Sequence, residues 1–170
     1  MTSADTAPAF DALIGLGSNM GDKAANIAHA IALLTEKGDI RLIAESRLYR
    51  TAPWGVKDQD WFVNACIAVA TDLAPRDLLA RCLSVENDMK RVRKERWGPR
   101  VIDVDVLTCR DATMDDPDLT LPHPRITERA FVLVPLMDIA PGVEIAGHVP
   151  AYWLARLDAN EVVPLEESTK

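Results

Sequence analysis

Asp103 and Asp105 stand two residues apart in V-I-D-V-D-V-L, a run that otherwise reads as a buried strand. Side chains on a strand alternate faces, so the two carboxylates share one face while Ile102, Val104 and Val106 share the other and can pack. Like charges side by side repel and are costly to desolvate. A divalent cation between them relieves both costs, and for hard oxygen ligands the expected ion is magnesium. An edge strand with one face in water would explain the same pattern, because acidic residues also discourage edge-to-edge pairing. The surroundings have to decide between the two.

Immediately upstream, K-R-V-R-K-E-R-W-G-P-R from Lys90 to Arg100 holds six basic residues and one acidic residue among eleven. The formal net charge of the chain is -7, which disfavours nonspecific binding to nucleic acid or to anionic membranes. One concentrated basic segment in an acidic chain points to a small, highly charged anion, with a solvated charge run as the bland alternative. Arginine suits phosphate because its planar fork donates two hydrogen bonds at once. Paired carboxylates beside arginines supply what phosphoryl-type transfer needs, namely positioning and charge neutralisation. There is no G-x-x-x-x-G-K-[ST], so a nucleotide would not sit in a P-loop.

These residues need elements to hold them. Ala12 to Leu16 reads as a short strand ending in the turn G-S-N-M-G-D, and a helix runs from about Asp22 to Lys37 with Ile27, Ile31 and Leu34 on one face. His29 falls opposite that face and reads as a surface residue. Ile40 to Thr51 reads as one long strand and Trp61 to Thr71 as another, joined by the loop A-P-W-G-V-K-D-Q-D. Pro75 opens a second helix reaching about Lys90, with Leu78, Leu79, Cys82, Leu83, Val85 and Met89 as its apolar stripe. Glu86 falls inside that stripe, so it needs a partner, looks into a polar site, or is simply wet. After the D-x-D strand come a polar loop, L-T-L, P-H-P-R, a helical stretch through Phe131 and Leu136, and a last helix over Ala151 to Leu157. The order strand, helix, strand, strand, helix, strand is that of a ferredoxin-like α+β sandwich, one antiparallel sheet with helices packed on one face.

At 170 residues the chain is expected to form one domain over residues 10–160, flanked by loose tails at 1–9 and 161–170. Cys66, Cys82 and Cys109 are widely spaced and odd in number, as expected of buried reduced thiols in a cytoplasmic protein. No signal peptide and no apolar run of membrane-spanning length is evident. A monomer that binds neither nucleic acid nor membrane is expected.

The segment R-W-G-P-R-V-I-D-V-D-V-L closely resembles the signature of the 6-hydroxymethyl-7,8-dihydropterin pyrophosphokinases of folate synthesis. The resemblance extends in order through G-L-G-S-N-M-G-D, S-R-L-Y-R-T-A-P-W-G, F-V-N-A, R-V-R-K-E-R-W-G-P-R, L-P-H-P-R and E-R-A-F-V-L-V-P-L. It implies transfer of the terminal diphosphate of ATP to the hydroxymethyl group of the pterin, release of AMP, two magnesium ions and a ferredoxin-like fold. By the same resemblance Asp103 and Asp105 are the magnesium ligands, and Arg91, Arg93 and Arg100 bind the ATP phosphates. His123 and Arg129 complete the nucleotide site, and Glu86 lies near it. Phe62 and Phe131 sandwich the pterin ring, Asn64 pairs with its edge, and Thr51, Pro53 and Trp54 offer backbone contacts. Trp97 closes over both ligands. Two competing expectations are another two-metal phosphoryl or nucleotidyl transferase, and a non-catalytic ferredoxin-like RNA-binding module. The RNA-binding module should carry a basic overall charge, and the D-V-D strand would repel its ligand.

Overall fold

A computed structural model of the chain describes residues 9–51, 61–90, 101–110, 112–160 and 162–165, with the side chain of residue 90 excepted. The elements follow the expected order. Strand β1 (Ala12–Ser18) leads to helix α1 (Lys23–Thr35), then β2 (Ile40–Glu45), β3 (Tyr49–Thr51), β4 (Phe62–Thr71), α2 (Pro75–Lys90) and β5 (Asp103–Cys109). Beyond this core lie the hairpin β6 (Met114–Asp116) and β7 (Leu119–Leu121), helices α3 (Ala130–Ile139) and α4 (Pro150–Leu154), and strand β8 (Val162–Pro164).

The main sheet runs β5-β1-β4-β3-β8, with β2 also paired to β4, and every pairing is antiparallel. Central strands β1 and β4 are buried along nearly their whole length, so their apolar residues serve two cores. Ala12, Ile14 and Leu16 of β1 join Ile67 and Val69 of β4 under α1 and α2, together with Ile27, Leu34, Leu78 and Cys82. Leu13, Cys66 and Ala68, one residue out of phase, face the opposite layer with Leu107, Ile126, Leu133 and Leu136. The expected helix pair on one face is therefore present, and α3 with α4 adds a second layer over part of the other face. Among the described residues that second layer leaves one end of the sheet uncovered, and the chemistry-bearing residues lie at that end.

The helices follow their sequence signals. Asp22 caps α1 by accepting from the Ala25 amide at 3.1 Å, and His29 on that helix is exposed. In α2 the stripe Leu78, Cys82, Val85 and Met89 is buried, whereas Leu83 is exposed. One residue is a 100° step, so Leu83 rotates off the flank of a stripe centred on Cys82. The Cys82 thiol is pushed up to about 12, chiefly by burial, and it is an inert packing group.

Two expectations are corrected. The long strand over residues 40–51 is two strands, because β2 carries a bulge between Leu42 and Ala44 and the chain breaks again at Ser46. There the Ser46 amide donates to the Cys66 carbonyl at 2.9 Å, the Ser46 hydroxyl accepts from the Cys66 amide at 3.0 Å, and the Arg47 amide donates to Asp138 Oδ2 at 3.0 Å. Residues 162–164, expected within a loose tail, form β8 and extend the sheet beside β3, with Thr51 opposite Val162.

Candidate active site

The register of the sheet converts separate sequence motifs into one surface. Asp105, Gly15 and Cys66 form one row across β5, β1 and β4. Asp103, Gly17, Asn64 and Tyr49 form the next, and Phe62, Thr51 and Val162 a third. All of these except Tyr49 line a cleft of ≈ 870 Å³, whose other walls are His123, Arg125, Ile126, Glu128, Arg129, Phe131, Leu157 and Asp158. That volume lies toward the upper end of small-molecule sites. Strand spacing places Asp103 and Asn64 roughly 10 Å apart across the bare row position of Gly17.

The edge-strand reading of the D-x-D pattern holds, and the same carboxylates also face a cleft. Strand β5 is an edge strand, and its acidic face is also the floor of the cleft. Ile102, Val104 and Val106 are buried in the α1/α2 core, as the alternation requires, and Asp105 is exposed. Glu86 is not among the residues lining the cleft. Its Oε2 instead accepts from the Val104 amide at 2.7 Å, an outward-facing donor on the edge strand between the two aspartates. The acid in the apolar stripe of α2 thus has a partner in the backbone of β5.

Opposite the acidic floor stands a basic wall. The cis bond Leu121–Pro122 leads into His123, whose amide donates to the Leu107 carbonyl at 2.9 Å and so ties the segment to β5. His123 Nδ1 accepts from the Arg125 amide at 3.2 Å, which leaves the proton of the neutral ring on Nε2. Burial pushes the His123 pKa below its ordinary value, Asp105 pulls it up, and Arg129 and Arg125 push it down. Arg129 occupies the N-cap position of α3, with its guanidinium 5.6 Å from the centroid of Phe131. A carboxylate floor facing imidazole and guanidinium groups is complementary to an anion that brings its own cations.

The other end of the cleft is aromatic and polar. Phe62 belongs to neither core cluster and lines the cleft; Phe131 lies against the edge of the α3 core and also lines the cleft. Asn64 is buried and lines the same cleft, with its Nδ2 donating to Thr51 Oγ1 at 3.2 Å. Helix α3 is fixed to the sheet behind this end, because the Tyr49 hydroxyl donates to Asp138 Oδ2 at 2.7 Å and accepts from Arg47 at 2.9 Å.

The cleft therefore gathers Thr51, Phe62, Asn64, Asp103, Asp105, His123, Arg129 and Phe131. Pro53, Trp54, Arg91, Arg93, Trp97 and Arg100 lie outside the described residues. The sequence reading did not single out Gly15 and Gly17 as floor residues, nor Arg125, Leu157, Asp158 and Val162 as walls. The one available signal was the alternation of glycines in G-L-G, which marks a strand with one bare face.

The match to known proteins covers most of the chain. A family model described as 7,8-dihydro-6-hydroxymethylpterin-pyrophosphokinase (HPPK) matches residues 13–141. A 2-amino-4-hydroxy-6-hydroxymethyldihydropteridine pyrophosphokinase from Methylorubrum extorquens is 52% identical over 155 residues, covering 91% of this chain and 98% of that protein. A protein of the same name from Bacillus subtilis is 40% identical over 133 residues, covering 78% of this chain and 80% of its own length. Among solved structures, an HPPK-DHPS in complex with substrates superposes with a TM-score of 0.68 at 15% identity, over 88% of this chain and 43% of that one. The chain thus spans less than half the length of that solved relative, and at this identity the likeness concerns the fold.

Proposed function

The chain belongs to the 7,8-dihydro-6-hydroxymethylpterin-pyrophosphokinase family, and from that membership we propose how its cleft divides the work. The activity is ATP-dependent diphosphoryl transfer in folate synthesis. The pterin hydroxymethyl oxygen forms a bond to the β-phosphorus of ATP, the bond from that phosphorus to the bridging oxygen of the α-phosphate breaks, and AMP leaves. The hydroxyl proton is released.

The aromatic end takes the pterin. Phe62 and Phe131 offer faces to a flat heteroaromatic, which gains from offset stacking, and Asn64 pairs with its polar edge. The charged end takes the triphosphate, with His123 Nε2–H and Arg129 donating to phosphate oxygens. Asp103 and Asp105 fit magnesium, because that ion is ordinarily held by one or two carboxylates plus substrate phosphates, without a full protein cage. Bound there, two ions would supply the positive charge that neutralises the triphosphate. Arg91, Arg93 and Arg100 add donors to the phosphates, and Trp97, Pro53 and Trp54 border the ligands; these roles rest on the family resemblance. We further read the protein as a cytoplasmic monomer that binds no nucleic acid, which the net charge of -7 supports. No helix among the described residues is long and apolar enough to cross a membrane.

One observation carries the site reading: Asp103 and Asn64 share a single sheet row with only Gly17 between them, and Asp105 lies in the adjacent row. The test is a single-turnover reaction of ATP, magnesium and 6-hydroxymethyl-7,8-dihydropterin with the nucleotide products separated. AMP in amounts equal to the pterin diphosphate is expected, and stoichiometric ADP would mark a γ-phosphate kinase instead.

A further inference from the structure

Asn64 is 8% exposed and lies on β4 with β3 on one side and β1 on the other. On the β3 side its Nδ2 donates to Thr51 Oγ1 at 3.2 Å. On the β1 side a Cβ at Gly17 would stand 2.7 Å from Asn64 Oδ1 and 3.8 Å from its Cγ. The carboxamide thus lies across the space that a side chain at residue 17 would fill. Gly17 is not needed for its backbone, because it is not among the described glycines of positive φ, which are Gly21, Gly38 and Gly147. It is needed for the room it leaves. Among the described residues Asn64 Oδ1 accepts no hydrogen bond, although the residue is buried and lines the cleft. A buried carbonyl oxygen without a protein donor is open to one from water or from a ligand.

We propose that the Thr51 hydroxyl and the bare Gly17 are positioning residues that hold the Asn64 carboxamide in the plane of the incoming heterocycle, and so set the affinity of the cleft for a lactam edge. The chemistry is specific. A cyclic lactam presents an N–H beside a C=O, the complement of a carboxamide, and both bonds form only when the two planes coincide. Thr51 anchors the plane from one side, and Gly17 lets it lie flat on the other. The proposal rests on the reading of Asn64 as the group that pairs with the pterin.

The test measures pterin binding by titration calorimetry in the presence of magnesium and a non-hydrolysable ATP analogue, with binding of the analogue alone as the control. Thr51→Val keeps shape and removes the hydroxyl; it should weaken pterin binding by roughly three- to tenfold, the range of one hydrogen bond. Thr51→Ser should restore it, and analogue affinity should not change in either. Gly17→Ala should weaken pterin binding in the wild-type background yet add nothing in an Asn64→Ala background, the non-additivity expected of residues acting through one group. A loss that persists in the Asn64→Ala background would show that the new methyl group blocks the pterin directly, and would overturn the role given to Gly17. Normal pterin binding by Thr51→Val would overturn the role given to Thr51. Asn64→Ala with unchanged pterin affinity would instead remove the pairing role of Asn64 itself, a distinct failure.

Discussion

Removing either carboxylate from the floor of the cleft should cost turnover far more than stability. Asp103 and Asp105 occupy one face of an edge strand whose other face is buried in the α1/α2 core, so Asp103→Ala or Asp105→Ala leaves that packing intact. Each is expected to reduce AMP formation by more than about tenfold, a barrier increase above ~1.4 kcal/mol, with an unchanged circular dichroism spectrum. Retention of more than a tenth of the rate by either variant would remove the metal-ligand role. Phe62 allows a second separation of roles, because it belongs to neither core and lines the cleft. Phe62→Ala should weaken pterin binding, measured with the ATP analogue present, and leave binding of the analogue itself nearly unchanged. Equal losses for both ligands would identify a collapsed wall instead. The aspartate pair was legible in the sequence because a period of two is a local property of any strand. Gly15 and Gly17 were not, since what matters at those positions is an empty space, and that space has meaning only once the register places Asp103, Asp105 and Asn64 around it.

Elements show the same division between local and distant causes. Helix α1 with its Asp22 cap, the stripe of α2 and the strand carrying D-x-D all follow from signals within a few residues. The break between β2 and β3 does not, because the partners that reshape Ser46 and Arg47 are Cys66 and Asp138, far along the chain. Strand β8 was likewise missed, since three residues of V-V-P become a strand only when β3 offers an edge. Glu86 is the instructive intermediate case. Its misfit within the apolar stripe was visible, but its partner, the Val104 amide, needed the packing of α2 against β5 to be known. This placement gives a prediction at the scale of the two elements. Glu86→Ala leaves a buried amide without its acceptor, which costs about 1–3 kcal/mol. For a chain of this size that corresponds to a fall in Tm of roughly 2–12 °C, readable by calorimetry. Turnover should decline less than in the Asp103 and Asp105 variants, because the carboxylates remain while their strand loosens. A full loss of turnover with an unchanged Tm would instead mark Glu86 as a direct ligand contact.

Among the described residues the sheet lies between two unequal helical layers, and the cleft opens where the α3/α4 layer stops short of the sheet's end. The chain carries a net charge of -7, and two of its carboxylates lie together on the floor of the cleft. A triphosphate is itself strongly anionic, so its approach is repelled by the molecule and by the floor together. His123 and Arg129 on the opposite wall face a ligand whose far side still meets Asp103 and Asp105. Nucleotide affinity should therefore depend steeply on a divalent cation, through charge balance across the cleft. A ligand that binds only the folded state at one hundred times its Kd stabilises that state by ~2.7 kcal/mol. With roughly 2–4 °C per kcal/mol for a chain of this length, a non-hydrolysable ATP analogue with magnesium should raise Tm by about 5–10 °C. With the same analogue in excess EDTA the increase should vanish, while the Tm of the protein without nucleotide should be the same in EDTA and in magnesium. The increase should also be lost in Asp105→Asn with magnesium present if that carboxylate holds the cation, because the amide offers one neutral oxygen where the anion offered two charged ones. An equal rise of Tm in EDTA and in magnesium would mean that the nucleotide binds through the basic wall alone, and the acidic floor would then need a different explanation.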